Sequence, residues 1–316
     1  MTYVEHVNRL IRDRFARAPG AVAFGQNITA GSCLGGLTRG LDSVEGLLAL
    51  NTPNSENTLA GVGFGLMLGG VNSVFFMKQL DFLYLGMDHL VNTWNFLRLR
   101  GPAAGFTVFP IVVDVGFQGM QSSANDLAGL CAAARVEGYA INGMRDAERI
   151  IGDRMLAPGF RVIAVSQRLF KAPIPDPGPP VRSGSAADWF QYAAGRDATI
   201  VCFNFSLPQG MALARALARR GRSASLFCVN AALAADWDAM LADLAQTRRL
   251  AILDDSKSFN SPSNMLLAAA ARAGLADGSV ACVRAFSESW YRPNSEEFDC
   301  DVESLADRIL NAEAAR

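Results

Sequence analysis

Residues 54–70 read NSENTLAGVGFGLMLGG, and how this stretch is read decides the fold of the first half of the chain. A single carboxylate, Glu56, stands ahead of an apolar run in which Gly61, Gly65 and Gly69 recur at every fourth position. Glycine inside a helix costs about 1 kcal/mol relative to alanine, so such a run calls for a reason. Residues four apart share a helix face, and these three would leave a smooth stripe that another backbone could approach closely. A tightly packed core helix, with its leading glutamate meeting the positive end of the helix dipole, accounts for the same letters. Both readings predict a helix over 58–69.

Outward from this helix, short apolar runs alternate with amphipathic ones. The pattern predicts buried strands over 21–25, 74–77, 106–115 and 161–165, with helices over 4–17, 84–98 and 124–134 between them. Prolines at 173, 175, 177, 179 and 180 precede Arg-Ser-Gly-Ser, an extended and flexible composition. A linker is therefore expected over 173–188, dividing a domain of residues 1–172 from one of 189–316. The second part repeats the alternation: strands over 199–203, 224–229, 250–253 and 279–283, helices over 209–219, 237–246, 263–273 and 302–312. Apolar strands alternating with helices indicate α/β architecture: two doubly wound domains, each a mostly parallel sheet covered by helices.

Composition narrows the function. The formal net charge is −1, too little positive charge for a nucleic-acid footprint. The longest apolar stretch, 59–71, is too short and glycine-rich to span a bilayer. The N-terminus mixes acids and bases in a helical pattern and lacks the layout of a signal peptide. Six cysteines are scattered without a Cys-x-x-Cys pair, as suits free thiols in a reducing cytoplasm. Two histidines, His6 and His89, leave little room for a histidine metal site.

Several spaced elements together resemble the pyrimidine-binding domain of the transketolase superfamily. The family pattern of Glu, Gly, apolar, Gly, apolar reads Glu56, Gly61, Val62, Gly65, Leu66 here. VAFGQNI from Val22 and GGLTRGL from Gly35 resemble the opening strand and loop of beta subunits of 2-oxoacid dehydrogenase first components. LDFLYLGMDHLVN from Leu80 resembles their aromatic segment and following helix, and VSQRLF from Val165 their last strand end. The resemblance covers about residues 1–172, and the layout beyond it suits a transketolase-type C-terminal domain.

That resemblance implies a thiamine diphosphate enzyme. In the family a buried glutamate hydrogen-bonds a ring nitrogen of the cofactor's aminopyrimidine and so activates the thiazolium carbon; Glu56 is the matching residue, hence the catalytic candidate. Phe82 matches the aromatic that stacks on the aminopyrimidine, and Asn54 and Lys78 are carried with it as cofactor-side candidates. Lys78 could also meet an anionic substrate, or simply reach solvent. The family's Gly-Asp-Gly motif with a downstream Asn, which holds magnesium and the diphosphate, does not occur in the chain. The resemblance therefore implies a separate diphosphate-binding subunit that holds most of the Mg2+ coordination, an α2β2 heterotetramer, and a small ketose or 2-oxo acid as substrate.

The substrate end departs from the family. Where relatives carry histidines after the third strand, this chain has Gln121, Ser122 and Ser123, which hydrogen-bond but do not shuttle protons near neutral pH. A plain turn of the same composition is the alternative. Three functional readings follow. The first is a subunit of a split transketolase-like transferase moving a two-carbon ketol or acyl unit to an aldehyde or ketone. The second is the beta subunit of a 2-oxoacid dehydrogenase passing acyl groups to lipoyl. The third is an inactive regulatory subunit.

Overall fold

The computed structural model describes residues 1–116, 118–119, 122–233, 236–276, 279–284, 293 and 300–311; side chains are described within these except over 279–284. The first half builds β1 (Val22–Gly25), β2 (Leu48–Asn51), β3 (Ser73–Met77), β4 (Gly105–Val112), β5 (Glu137–Ala140) and β6 (Gly159–Ser166). Around them run α1 (Tyr3–Ala16), α2 (Glu56–Leu68), the short α3 (Trp94–Leu97), α4 (Leu127–Ala134) and α5 (Met144–Arg154). The strands form one six-stranded sheet in the order β2-β1-β3-β4-β6-β5, parallel throughout. The central strands β3 and β4 are buried along their whole length. Parallel strands covered on both faces lose their alternation and read as unbroken apolar runs, which is why these were legible from sequence.

The second half contributes β7 (Arg182–Ser183), β8 (Trp189–Ala193), β9 (Ala198–Phe203), β10 (Ala224–Val229), β11 (Arg249–Asp254) and β12 (Ser279–Arg284). Its helices are α6 (Leu207–Arg219), α7 (Asp238–Thr247), α8 (Pro262–Arg272) and α9 (Val302–Asn311). The order is β12-β11-β9-β10-β8-β7; β8 runs antiparallel to both its neighbours, β10 and β7, and the other pairs are parallel. The architecture is α/β with two mostly parallel, helix-covered sheets. They meet edge to loop: Ala140 N–H donates to Asn230 O at 2.8 Å and Ala232 N–H to Gly138 O at 2.8 Å. One buried apolar cluster runs through both halves.

The structure adds elements that the sequence pattern does not predict. Strands β2, β5 and β7 lie at sheet edges, where half-covered strands need little apolar content; β2 is mostly exposed. Helix α5 carries few apolar residues but is secured by Asp146, whose carboxylate accepts from Gly143 N–H at 2.8 Å and from Asn142 N–H at 3.2 Å. A larger departure concerns 84–98, predicted as one helix. The segment breaks into a 3-10 turn over Leu80–Gly86, a π-helical turn over His89–Thr93, α3, and a 3-10 turn over Arg98–Arg100. Side chains divert its backbone: the Asn95 amide donates to Val91 O at 2.7 Å and Ala134 O at 2.9 Å, competing with the helical ladder.

Candidate functional site

Open parallel sheets bind ligands beyond the carboxyl ends of their strands, where the strand order reverses. In the first sheet that point lies between β1 and β3, because the chain leaves β1 toward β2 and leaves β3 toward β4 on the other side. Two adjoining clefts open there. The smaller is lined by Gln26, Asn54, Glu56, Leu59, Lys78 and Phe82 among others. The larger shares Gln26 and Lys78 and adds the polar side chains of Asn27, Ser32, Gln79, Gln118 and Gln167.

Local structure sets Glu56 at this mouth. The Asn51 side chain at the end of β2 accepts from Thr29 N–H at 3.1 Å and donates to the Thr29 hydroxyl at 2.6 Å, fixing the exit of β1. Pro53 follows, and α2 begins at Glu56 itself. Ser55, at the helix cap, turns its hydroxyl to Thr58 Oγ1 at 2.8 Å and makes no side-chain cap to the backbone. Glu56 is half-buried, and among the described residues its carboxylate has no hydrogen bond or ion pair. The facing wall is the 3-10 turn carrying Phe82. It comes close because Gly86 lies against the first turn of α2, where a Cβ would stand 3.3 Å from Glu56 O. Asn54 and Lys78 are exposed at the rim.

Residues around Phe82 are tied to the loop after β4. Ser122 donates to Gln79 Oε1 at 2.7 Å, Ala124 N–H to Asp81 Oδ1 at 2.9 Å, and Tyr84 OH to Asp126 Oδ2 at 2.9 Å. Burial pushes the carboxyls of Asp81 and Asp126 above their usual range and the Tyr84 hydroxyl up as well. Behind this loop, Arg168 pairs with Asp255 of the second sheet and lies 3.7 Å from Asp114. Asp114 accepts from the Ser166 hydroxyl at 2.5 Å and from Arg168 N–H at 2.9 Å. Its carboxyl is pushed up to about 6 by burial, against the pull of the Arg168 charge.

Of the residues singled out from sequence, Glu56, Asn54, Phe82 and Lys78 meet in one cleft. Ser122 reaches the neighbouring cleft only through Gln79, and the Ser123 hydroxyl turns to Gly119 O at 3.2 Å. Gln121 lies outside the described residues. Among the described residues no three His, Cys, Asp or Glu side chains gather as a metal-ligand set, and no helix is long and apolar enough to cross a membrane. Sequence reasoning missed the Asp114–Arg168–Asp255 group and the amide-rich lining of the larger cleft. Their members are far apart in the chain, and no spacing announces them.

No protein-family model matches the chain. It is similar to the beta subunit of acetoin:2,6-dichlorophenolindophenol oxidoreductase from Cupriavidus necator, 21% identical over 276 residues that span 79% of this chain and 78% of that one. It is also similar to the solved structure of a split-gene transketolase described as an inactive beta4 tetramer, with a TM-score of 0.70, 11% identity and 99% of each chain covered. The chain shares the fold of that split-gene transketolase structure. Within this fold, the sheet mouth holding Glu56 and Phe82 lies in the first half of the chain, at the switch point of the first sheet.

Proposed function

We propose that this chain is the beta-type half of a split, thiamine diphosphate-dependent enzyme that moves a two-carbon ketol or acyl unit to an aldehyde or ketone acceptor. One observation carries the reading: Glu56 and Phe82 converge in the cleft at the sheet's switch point, and the Glu56 carboxylate has no partner within the described residues. A half-buried carboxylate facing a phenyl ring suits a planar aminopyrimidine, one group holding a ring nitrogen and the other a ring face. The bound cofactor would supply the carbon nucleophile and electron sink that side chains lack. Glu56 would hold the proton exchanged at the ring nitrogen, with the walls of Leu59 and Phe75 limiting water. Phe82 would orient the ring, and Asn54 and Lys78 would meet polar or anionic groups at the rim.

Diphosphate and magnesium fall to a partner. The chain has no Gly-Asp-Gly motif, and the described residues gather no acidic metal set. We therefore assign Mg2+ to a separate diphosphate-binding subunit, with an α2β2 complex as the active form. The split-gene transketolase whose beta4 tetramer is described as inactive supports this dependence. Buried thiols at Cys131, Cys202 and Cys228 suit a reducing compartment, and we propose the cytoplasm.

The name of the acetoin oxidoreductase beta subunit favours a second reading, a dehydrogenase-type beta subunit with an acyl acceptor such as lipoyl. The two separate by acceptor. Co-expressed with a partner bearing Gly-Asp-Gly, the chain should turn over a ketose or 2-oxo acid donor only with thiamine diphosphate and Mg2+. Sugar aldehydes should serve as acceptors and a lipoylated protein should not; the reverse preference selects the second reading. Tight magnesium-dependent cofactor binding by this chain alone would overturn the split-enzyme proposal.

A further inference from the structure

The turn that follows β11 in the second sheet reaches into the first half of the molecule, beside the candidate site. Asp255 anchors it: Oδ1 accepts from Phe205 N–H at 2.8 Å and Asn204 Nδ2 at 2.9 Å, and Oδ2 takes Arg168. The Asp255 carbonyl in turn accepts from Asn125 Nδ2 at 2.6 Å. Two residues on, Lys257 is only 1% exposed. Its N–H donates to Asn125 O at 3.0 Å, and its ammonium donates to Ser123 O at 2.7 Å. Burial lowers the affinity of this ammonium for its proton, and the Asp81 carboxylate opposes that effect.

The two carbonyls Lys257 meets, Ser123 O and Asn125 O, alternate along the loop with the residues that hold the Phe82 turn. Ser122, Ala124 and Asp126 carry the three contacts to Gln79, Asp81 and Tyr84, which bracket Phe82 in sequence. A buried lysine is costly unless its charge and donors are met; here the Ser123 carbonyl of the loop accepts from the ammonium, and the negative charge of Asp81, one residue before Phe82, favours it electrostatically. We propose that Lys257 is a positioning residue: from the second sheet it clamps loop 122–126 and, through that loop's hydrogen bond from Ala124 N–H to Asp81, sets where the Phe82 ring stands opposite Glu56. The second sheet thereby acts on the site at a distance, without lining it. This rests on the reading of Phe82 as the ring that stacks on the cofactor.

The test has two arms. On the full chain alone, backbone hydrogen exchange compares the native protein with Lys257→Met and Lys257→Arg. Losing a buried charged donor should speed exchange in 80–86 and 122–126 by about ten- to a hundredfold, with β3 and β4 unchanged. In the reconstituted complex, Lys257→Met should raise the apparent KM for thiamine diphosphate about tenfold or more and lower kcat less, with Lys257→Arg restoring most of the loss. Exchange that changes only around 254–258, or a KM that stays put while 80–86 loosens, overturns the proposal. If Lys257→Met does not fold, Lys257→Gln keeps a donor for the Ser123 carbonyl while removing the charge, and the same directions are expected at smaller size. A native complex that never uses thiamine diphosphate would refute the cofactor reading instead, and the exchange arm would still decide the clamp.

Discussion

Glycines of α2 that look alike in sequence should respond with opposite sign to the same methyl group. At Gly63 an added Cβ would stand 2.2 Å from two atoms of the Phe106 ring and 2.6 Å from a third. That ring cannot turn aside, because Phe64 meets it edge-on at 5.1 Å between centroids and Phe160 lies at 5.0 Å. Overpacking of a well-filled core costs about 1–3 kcal/mol, and alanine returns about 1 kcal/mol in helix propensity. With the ring wedged, the upper end applies, so Gly63→Ala should lose about 2 kcal/mol. At Gly65 a Cβ meets nothing within 4 Å, the position is exposed, and the backbone is already helical. Only the propensity remains, and Gly65→Ala should gain about 0.5–1 kcal/mol. Thermal and guanidinium unfolding of the dilute full chain, checked as monomer by sedimentation, reads both; about 2–4 °C in Tm per kcal/mol is expected. A Gly63→Ala chain as stable as the native one would refute this account of the helix's packed face. If the Gly61/Gly65 side also meets another subunit, Gly65→Ala should weaken assembly while stabilising the dilute chain.

In the reconstituted complex, Glu56→Gln should lower turnover by about 10²–10⁴-fold, the usual worth of a positioned acid–base group; unchanged turnover in a steady-state assay would remove Glu56 from the mechanism. Arg168→Met leaves Asp114 and Asp255 buried without their cation, so denaturant unfolding should show a loss of about 3–5 kcal/mol. Asp146 is pushed up to about 6 by burial, against hydrogen bonds from Asn230, Gly143 and Asn142. Its folded pKa thus exceeds the unfolded value of about 3.9, so its contribution is fully present below about pH 4 and is lost as pH rises through 6. Carboxyl chemical shifts followed by NMR should show a midpoint near 6, and a midpoint below 4 would refute the burial argument.

Much of the site was legible because its chemistry is local to short motifs. Glu56 heads its own helix, and Phe82 follows β3 by a few residues, a strand marked by the apolar run that a buried parallel strand requires. The stripe reading was only partly informative. Periodicity singles out Gly61, Gly65 and Gly69, yet the glycine that the core demands is Gly63, on a different face, where Phe106 arrives from β4. Which face of an apolar helix is packed depends on what a remote strand brings to it. The break of 84–98 was equally hidden, since Asn95 bonds Ala134, 39 positions away. Ser122 looked like a substrate-loop residue but spends its hydroxyl on Gln79.

The sequence by itself determined the alternation of apolar strands with helices, and it singled out a glutamate ahead of a helix and a phenylalanine just after a strand. These follow from unbroken apolar runs, a helical period of 3.6 residues and short motifs, which act over a few neighbours. Tertiary structure alone decided that Glu56, Phe82, Asn54 and Lys78 share one cleft, and that Arg168 and Lys257 bind the second sheet to the loop beside it. Those contacts join residues 87 and 134 positions apart. Their energy depends on burial and charge created only once both sheets are in place, which no local pattern encodes.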